Sequence, residues 1–492
     1  MTVTVTDAGT QLDPDPSRLA LRLFLPGEDT HEESSRVADI GRRILAIEEV
    51  AARVAAARIL NSFTAGVDRL TDVLNSHADS VAFSTFSGDE LSPARKILLG
   101  AAFTAEYAIE GAALCNPSAM PHPDQSGLDP GQFRVAVALR GIGEGHISSI
   151  EFITAVIGPG VTWRFGERDL PVVVGATSPP VWVREHFVIA VESEMRGHVV
   201  ELAHALARLL PENFTMRDFE SAMGQLPAVL VHRSQATHHL ERLHAVVESA
   251  YRSTFPADTE LSQRVLMPAS RDESNGMEDA RFVLCDHPDG SQDYRATYTA
   301  YDGSNIAPRL IITKDFVTFD IHRLSGAAAR NKGMALFPRH VGGRLLALTR
   351  SDGETLGVAH SEHGRVWGEP QPLHRPAHMW EIIQTGNCGS PLETEHGWLV
   401  LTHGVGPMRE YCIGAILLDL ENPTRVIAAL AEPLITPDDR AGYVPNVVYS
   451  CGGIIHDGTL WIPHGVGDNR IRVASVPVGD LIASMTPNGA VD

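Results

Sequence analysis

The chain has 492 residues, 43% of them apolar, which is enough to bury a full core in two or three domain-sized units. Its formal net charge of −21 is spread along the sequence and argues against nucleic acid or an anionic membrane as the main partner, since both repel an acidic surface. No apolar run approaches the roughly 18 residues that span a bilayer, the N-terminus lacks a signal-peptide layout, and five scattered cysteines without a CxxC pair point to a reducing cytoplasm.

Residues 1–30 are rich in Asp, Pro and Thr and read as a mobile tail. Thr30-His31-Glu32-Glu33 has capping-box spacing, and the Ala/Arg/Leu/Ile pattern after it predicts one or two helices over 34–78. Their apolar stripe is broad enough for a homo-oligomer contact or for one wall of a channel. Ser92-Pro93 supplies an N-cap and an N1 proline for a further helix through ARKILLGAAFTAEYAIEGAAL.

After about residue 110, short β-branched runs alternate with Gly, Asp, Asn and Pro turns, which predicts strands and hairpins. A helical block interrupts them at roughly 184–255, and strands resume from 262 to the end. The expected divisions are a tail and helical segment (1–90), the start of the strand-rich unit (91–160), a helical insertion (161–260) and the remainder of that unit (261–492).

One pattern recurs in the strand-rich part: an apolar strand, a polar Gly-containing turn, then a second apolar strand. It appears at 137–156, 298–316, 347–364, 400–418 and 461–478, and the last two copies share HGVG. From the second copy onward the spacing is about 50 to 60 residues, within the range of propeller blades. The fold class expected is therefore mainly β, a five-bladed β-propeller carrying an N-terminal helical segment and a helical insertion between its first two blades. The alternative is a β-sandwich that reuses hairpin turns.

GIGEGH (141–146) mimics part of a dinucleotide loop, but a strand-like run follows where that motif needs a helix; Glu144 and His146 remain blade-turn residues that reach toward a channel. In HRSQATHHLERLH, His239 and His244 are five apart, so the HExxH zinc spacing is missing. With no Walker loop, GxSxG elbow or CxxC pair, the sequence implies neither a metal nor a nucleotide cofactor.

NGMEDARF (275–282) sets Glu278 and Asp279 side by side before a strand-like run, although adjacent carboxylates repel unless something uses them. With CNPSA (115–119), VALRG (137–141), NKGMALFP (331–338), GWLVLTHGV (397–405), YCIGAILLDLENPTRVI (411–427), GYVPNVVYSCG (442–452) and GVGDNRIRVAS (465–475), it makes the chain resemble glycoside hydrolase family 130. These are five-bladed propellers that cleave mannosides with inversion, by phosphorolysis or by hydrolysis. The resemblance covers roughly 110–160 and 262–480 and leaves the helical segments without a counterpart in the smaller members.

The resemblance implies that Asp279 is the catalytic acid, in some members acting through a sugar hydroxyl, with a pKa raised by Glu278 and by partial burial. The motif's Pro is Ala280 here, which loosens the turn. Arg281 orients the pair or binds sugar hydroxyls. Asn116, Arg140 and Asp468 match further substrate-binding positions, with phosphate as a second option for Arg140. Trp380 and Tyr443 are candidate stacking platforms or inter-blade packing. Lys332, His403 and Tyr411 match positions where the family's phosphorylases hold inorganic phosphate as co-substrate. Against that, Glu381 and Glu393 flank a departure from the family strip, TGNCGSPLET, and hydrolytic members use glutamates to activate water. The departures and insertions favour hydrolysis of a mannose-containing oligosaccharide or polysaccharide. The alternatives are phosphorolysis releasing mannose 1-phosphate, the reverse mannosyl transfer, or a non-catalytic carbohydrate-binding propeller.

Overall fold

In the computed structural model the described residues are 3–25, 33–62, 67–85, 91–160, 162–168, 171–437 and 442–487. Thr30, His31 and Glu32 of the expected capping box lie outside them. Backbone contacts divide the chain into two units, Pro16–Ile109 and Met1–Asp15 with Glu110–Asp492.

The unit Pro16–Ile109 contains helices α1 (Glu33–Leu45), α2 (Glu49–Ser62), α3 (Val67–Thr85) and α4 (Pro93–Ala102), with strands Leu19–Leu23 and Thr104–Ala108 paired antiparallel. Leu70, Leu74, Leu98, Leu99 and Phe103 form its core. Three helices, not one or two, follow residue 33. The cap at Ser92 is present, its Oγ accepting from the Arg95 amide at 3.4 Å. The helix after it is shorter than expected: it stops at Ala102, where buried Phe103 turns the chain into the Thr104–Ala108 strand. Gly100 is required by this packing, because a Cβ there would lie 1.9 Å from the Leu74 carbonyl oxygen.

The larger unit is mainly β. Each of the five recurring sequence patterns is an antiparallel hairpin: Phe133–Ile142 with Ser148–Gly158, Gln292–Tyr301 with Ile306–Thr313, Leu345–Thr349 with Leu356–Ser361, Gly397–Val405 with Tyr411–Leu418, and Thr459–Val466 with Arg470–Pro477. A further strand precedes each hairpin and pairs antiparallel with its first strand: Ala113–Pro121, Gly276–Asp286, Ala335–Leu336, Gln384–Asn387 and Val448–Tyr449. We refer to these groups as the first to fifth meanders.

Apolar clusters lie between successive meanders. Phe152 of the first packs with Phe282 of the second, Leu310 of the second with Leu336 and Trp367 beside the third, Phe337 of the third with Trp398 of the fourth, and Leu399 of the fourth with Leu460 of the fifth. A fifth cluster joins Val135 and Ile153 of the first meander to Trp461 and Ile471 of the last.

The expected mobile tail is instead a strand. Thr6–Leu12 pairs antiparallel with Arg470–Pro477, so the N-terminus completes the fifth meander. The Thr/Val alternation at its start is the physical reason, since Val3, Val5, Ala8 and Leu12 pack on the clusters beneath.

The insertion between the first two meanders contains helices α5 (Arg184–Glu194), α6 (His198–Leu209), α7 (Met216–Gly224), α8 (Ala228–Val231) and α9 (Ala236–Glu248), built on their own core of Phe187, Leu202, Leu206, Phe214, Phe219 and Leu243. Thr215 and Asp218 form a capping box at α7. A last helix, α10 (Val478–Ser484), follows the fifth meander.

Candidate active site

Two β-bulges bring the central residues together. In the first meander the register slips between Cys115 and Ser118, and in the second between Glu278 and Arg281, so Asn116 and Asp279 each fall where two residues oppose one. Both have left-handed backbones, with φ of 52° and 57°, a conformation that Asn and Asp tolerate better than most residues. Gly276 sets up the second bulge: its φ is 134°, and a Cβ there would lie 2.6 Å from the Ser148 amide nitrogen. Asn116 Nδ2 donates to Asp279 Oδ1.

Arg140, at the end of its strand, reaches both carboxylates. Its Nη2 donates to Glu278 Oε1 at 2.7 Å, its Nη1 to Asp279 Oδ1 at 3.2 Å, and its Nε to Ser148 Oγ at 2.9 Å. Lys332 Nζ donates to the other oxygen of Glu278. Burial pushes the Asp279 carboxyl up, but Arg140, Arg281 and Lys332, together with the Asn116 amide, outweigh it and hold the group at about 2. The raised pKa expected for the acid is therefore not found: three cations and an amide overcome burial. Asp468, at the tip of the fifth hairpin, goes the other way. Burial and the Asp279 charge raise it to about 6 against Arg140 and Arg409.

Arg281 is 1% exposed and donates to the carbonyls of Cys388 and Asp279 and to the Tyr449 hydroxyl at 2.8, 2.7 and 3.0 Å. It ties the second meander to the fourth and fifth and holds the Asp279 backbone. Its burial overturns the expectation that it binds sugar hydroxyls and leaves the orienting role.

His403 is buried, its Nδ1 3.2 Å from the Asn387 carbonyl and its Nε2 3.2 Å from Arg350 Nη1. A guanidinium only donates, so Nε2 accepts and Nδ1 carries the proton. Burial, then Arg350 and Arg281, hold His403 well below the usual imidazole range, as this neutral tautomer requires. Tyr411 lies parallel to it at 6.5 Å, and Tyr449 stands 4.9 Å away.

Arg350 was missed by the sequence reading. Among the described residues it makes no ion pair, and its Nε is buried without a partner. The signal available was the recurring pattern itself: Arg350 directly follows the first strand of the third hairpin, and Arg140 lies near the end of that of the first.

Other expected residues fall elsewhere. Glu381 is fully buried, accepting from the Ala377 and His378 amides at 3.2 and 3.4 Å and lying 3.0 Å from His374 Nε2. Glu393 pairs with Arg339 at the surface. Neither glutamate is placed to activate water, because both oxygens of each are engaged in holding the fold. Trp380 lies over Gly404 and Gly414, whose hypothetical Cβ atoms would meet its ring at 2.4 and 2.5 Å, and its Nε1 donates to the Ala431 carbonyl at 3.1 Å; it packs against strands. Tyr443 is half exposed and meets His146 Nδ1 through its hydroxyl at 2.9 Å, while Glu144 is exposed at the same hairpin tip. Among the described residues, no three His, Cys, Asp or Glu side chains are grouped to hold a metal ion.

The site thus gathers four cations, three carboxylates and a neutral imidazole, an arrangement suited to polyhydroxylated and anionic ligands together. A family model described as beta-1,4-mannooligosaccharide phosphorylase, of glycoside hydrolase family 130, matches residues 242–486. A 1,2-beta-oligomannan phosphorylase of Thermoanaerobacter sp. (strain X514) is 31% identical over 227 residues, 45% of this chain and 75% of that protein. A beta-1,2-mannobiose phosphorylase of Listeria innocua serovar 6a is 29% identical over 227 residues, 44% of this chain and 62% of its own. A solved structure, the beta-1,2-mannobiose phosphorylase of Listeria innocua with beta-1,2-mannobiose, aligns with a TM-score of 0.43 at 20% identity, covering 77% of this chain and 93% of that one. The chain belongs to glycoside hydrolase family 130 and is an enzyme of the glycoside phosphorylase or hydrolase class.

Proposed function

We propose that this protein is an inverting phosphorylase of β-mannosides, releasing mannose 1-phosphate, and that its five meanders are the blades of a five-bladed propeller. The observation that carries the phosphorolytic reading is Arg350: a guanidinium without a carboxylate partner, bonded to His403. It supplies a fork of donors for a phosphate oxyanion. The two glutamates on which hydrolysis leaned are engaged elsewhere, and the relatives named above are phosphorylases.

In this reading Lys332, Arg350, Tyr411 and the His403 edge receive hydrogen phosphate, and Asp468, Asn116 and Arg140 position the mannose. A phosphate oxygen attacks the anomeric carbon as the bond to the bridging oxygen breaks on the opposite face. The hydrogen of hydrogen phosphate passes to Asp279, and Asp279 delivers that one proton to the bridging oxygen, directly or through a sugar hydroxyl, so that the products are mannose 1-phosphate as its dianion and a neutral alcohol. The resting charge of Asp279 is no obstacle. An arriving phosphate offsets the cations that hold its carboxyl down and moves it toward protonation.

The propeller reading is supported by the order of the meanders, by apolar clusters that run from each to the next and from the last to the first, and by the N-terminal strand. Hydrogen bonds also link the ends of the ring: Cys451 N donates to the Pro117 carbonyl at 2.8 Å and Ala119 N to that of Gly452 at 3.1 Å.

The test is incubation with β-1,2- and β-1,4-mannooligosaccharides, with and without inorganic phosphate, and identification of the products. Mannose 1-phosphate formed only with phosphate is expected. Free mannose released at the same rate without phosphate would restore hydrolysis.

A further inference from the structure

We propose that the cavity between α5 and the edge of the third meander is a second ligand site, which takes a small organic phosphate. The cavity has a volume of about 430 Å³ and shares no lining residue with the site around Asp279. Glu185, His186, Ile189 and Ala190 of α5 form one wall; His360, His363, Arg365 and Val366 form the facing wall.

Arg365 carries the argument. It is half-buried, lines the cavity and makes no hydrogen bond or ion pair through its guanidinium among the described residues. Burial first, then Arg295, lower its pKa to about 10 against the attraction of Asp320, whose carboxylate is already bonded to Arg252. Nearby imidazoles respond to its charge. His186 and His322 are both held below the usual range, by burial and then by Arg365. His186 and His363 lie with ring centroids 6.4 Å apart. Arg323, the other arginine on the rim, is already bonded to Glu194 and Asp272.

A half-buried guanidinium with no bonded carboxylate, beside Arg295, has unsatisfied donors that a bound anion would engage. The carboxylates on the rim do not supply one: Glu185 is exposed, and the Glu362 side chain is 89% exposed. A phosphate monoester provides two oxygens to match the guanidinium fork and further oxygens for imidazole donors. Ile189, Ala190 and Val366 give the apolar surface against which the organic part lies. The inserted helical block thereby has a function: α5 builds a wall that the meanders alone do not provide. This site stands independently of the phosphorolysis reading.

The test uses the full chain and glucose 6-phosphate, inorganic phosphate and glucose as probes, titrated calorimetrically. Glucose 6-phosphate is expected to bind the parent and an Arg350→Ala variant alike, more tightly than inorganic phosphate, and glucose not at all. Arg365→Gln should weaken binding at least about tenfold, the scale of one lost charge-assisted bond. Because Arg365 makes no hydrogen bond through its guanidinium, this variant should melt no lower than the parent without ligand and should keep its turnover of mannosides. His186→Ala, on the helical wall, should also weaken binding and serves if Arg365→Gln folds poorly. Absence of glucose 6-phosphate binding, affinity unchanged in both variants, or loss in Arg350→Ala alone would overturn the second site. In the Arg350→Ala variant, where phosphate binding beside His403 is weakened, equal affinity for inorganic phosphate and glucose 6-phosphate would overturn the assignment to an organic phosphate.

Discussion

Asn116 and Asp279 occupy matching bulges of two different meanders, both with left-handed backbones, and hydrogen-bond each other. Each bulge turns a side chain out of the strand alternation, and together they place an amide donor on the carboxylate. The Asn116 hydrogen bond also helps to keep Asp279 ionised.

Asp279→Asn should therefore keep the fold, since the new amide is isosteric and still pairs with Asn116, but lose turnover. The expected fall in kcat is about a hundred- to ten-thousandfold, the usual contribution of a general acid. Melting temperature and mannose 1-phosphate release, measured together, check it; parental turnover would remove the acid assignment.

Arg350→Ala should act mainly on phosphate. The KM for phosphate should rise at least about tenfold, the scale of a lost charge-assisted hydrogen bond, with a smaller change in the KM for mannoside. Initial rates over a grid of both substrates measure the split, and an unchanged phosphate KM would place the anion elsewhere.

Asp468 predicts a pH signature. Its folded value, about 6, stands above the unfolded carboxylate value, so its contribution to stability is fully present in acid and is lost as pH rises through about 6. Asp468→Asn should stabilise the unliganded protein on the order of 2 kcal/mol at pH 8 and little at pH 4. Urea midpoints at the two pH values report this, and an equal effect at both would contradict it.

Glu381→Gln should cost stability without removing a water-activating base. Its carboxylate takes two backbone amides and lies beside His374, and the shared partners lower its pKa despite burial. The variant should melt lower while its kcat/KM, measured below that temperature, stays within about threefold of the parent.

Removal of residues 3–12 should open the fifth meander. The lost packing of Val3, Val5 and Leu12 amounts to on the order of 2 to 4 kcal/mol, and an unpaired edge at Arg470–Pro477 becomes available for association. Thermal melting and light scattering test both effects.

Much of this was legible in the chain. The five hairpins announce themselves through turn residues and alternation, which are local properties, and GMEDARF marks the carboxylate pair through its own Gly. The N-terminal strand was misread because its partner, Arg470–Pro477, lies far away in sequence and Asp/Pro content outweighed a short Thr/Val alternation. Arg350 went unnoticed because an arginine at a strand end looks like a solvated charge. Glu381 and Glu393 looked catalytic by position, and only their partners show otherwise.

The sequence by itself determined the β-rich class, the helical insertion and the identity of the carboxylates and their cations, because periodicity, turn chemistry and motif residues are written locally. Tertiary structure alone decided which groups share a field. The depressed Asp279, the raised Asp468, the neutral His403 and the placing of Arg350 and Arg365 away from any bonded carboxylate depend on charges that reach across meanders and on burial set by packing. Electrostatic energy follows distance and dielectric in space, and neither is encoded in the spacing of residues along the chain.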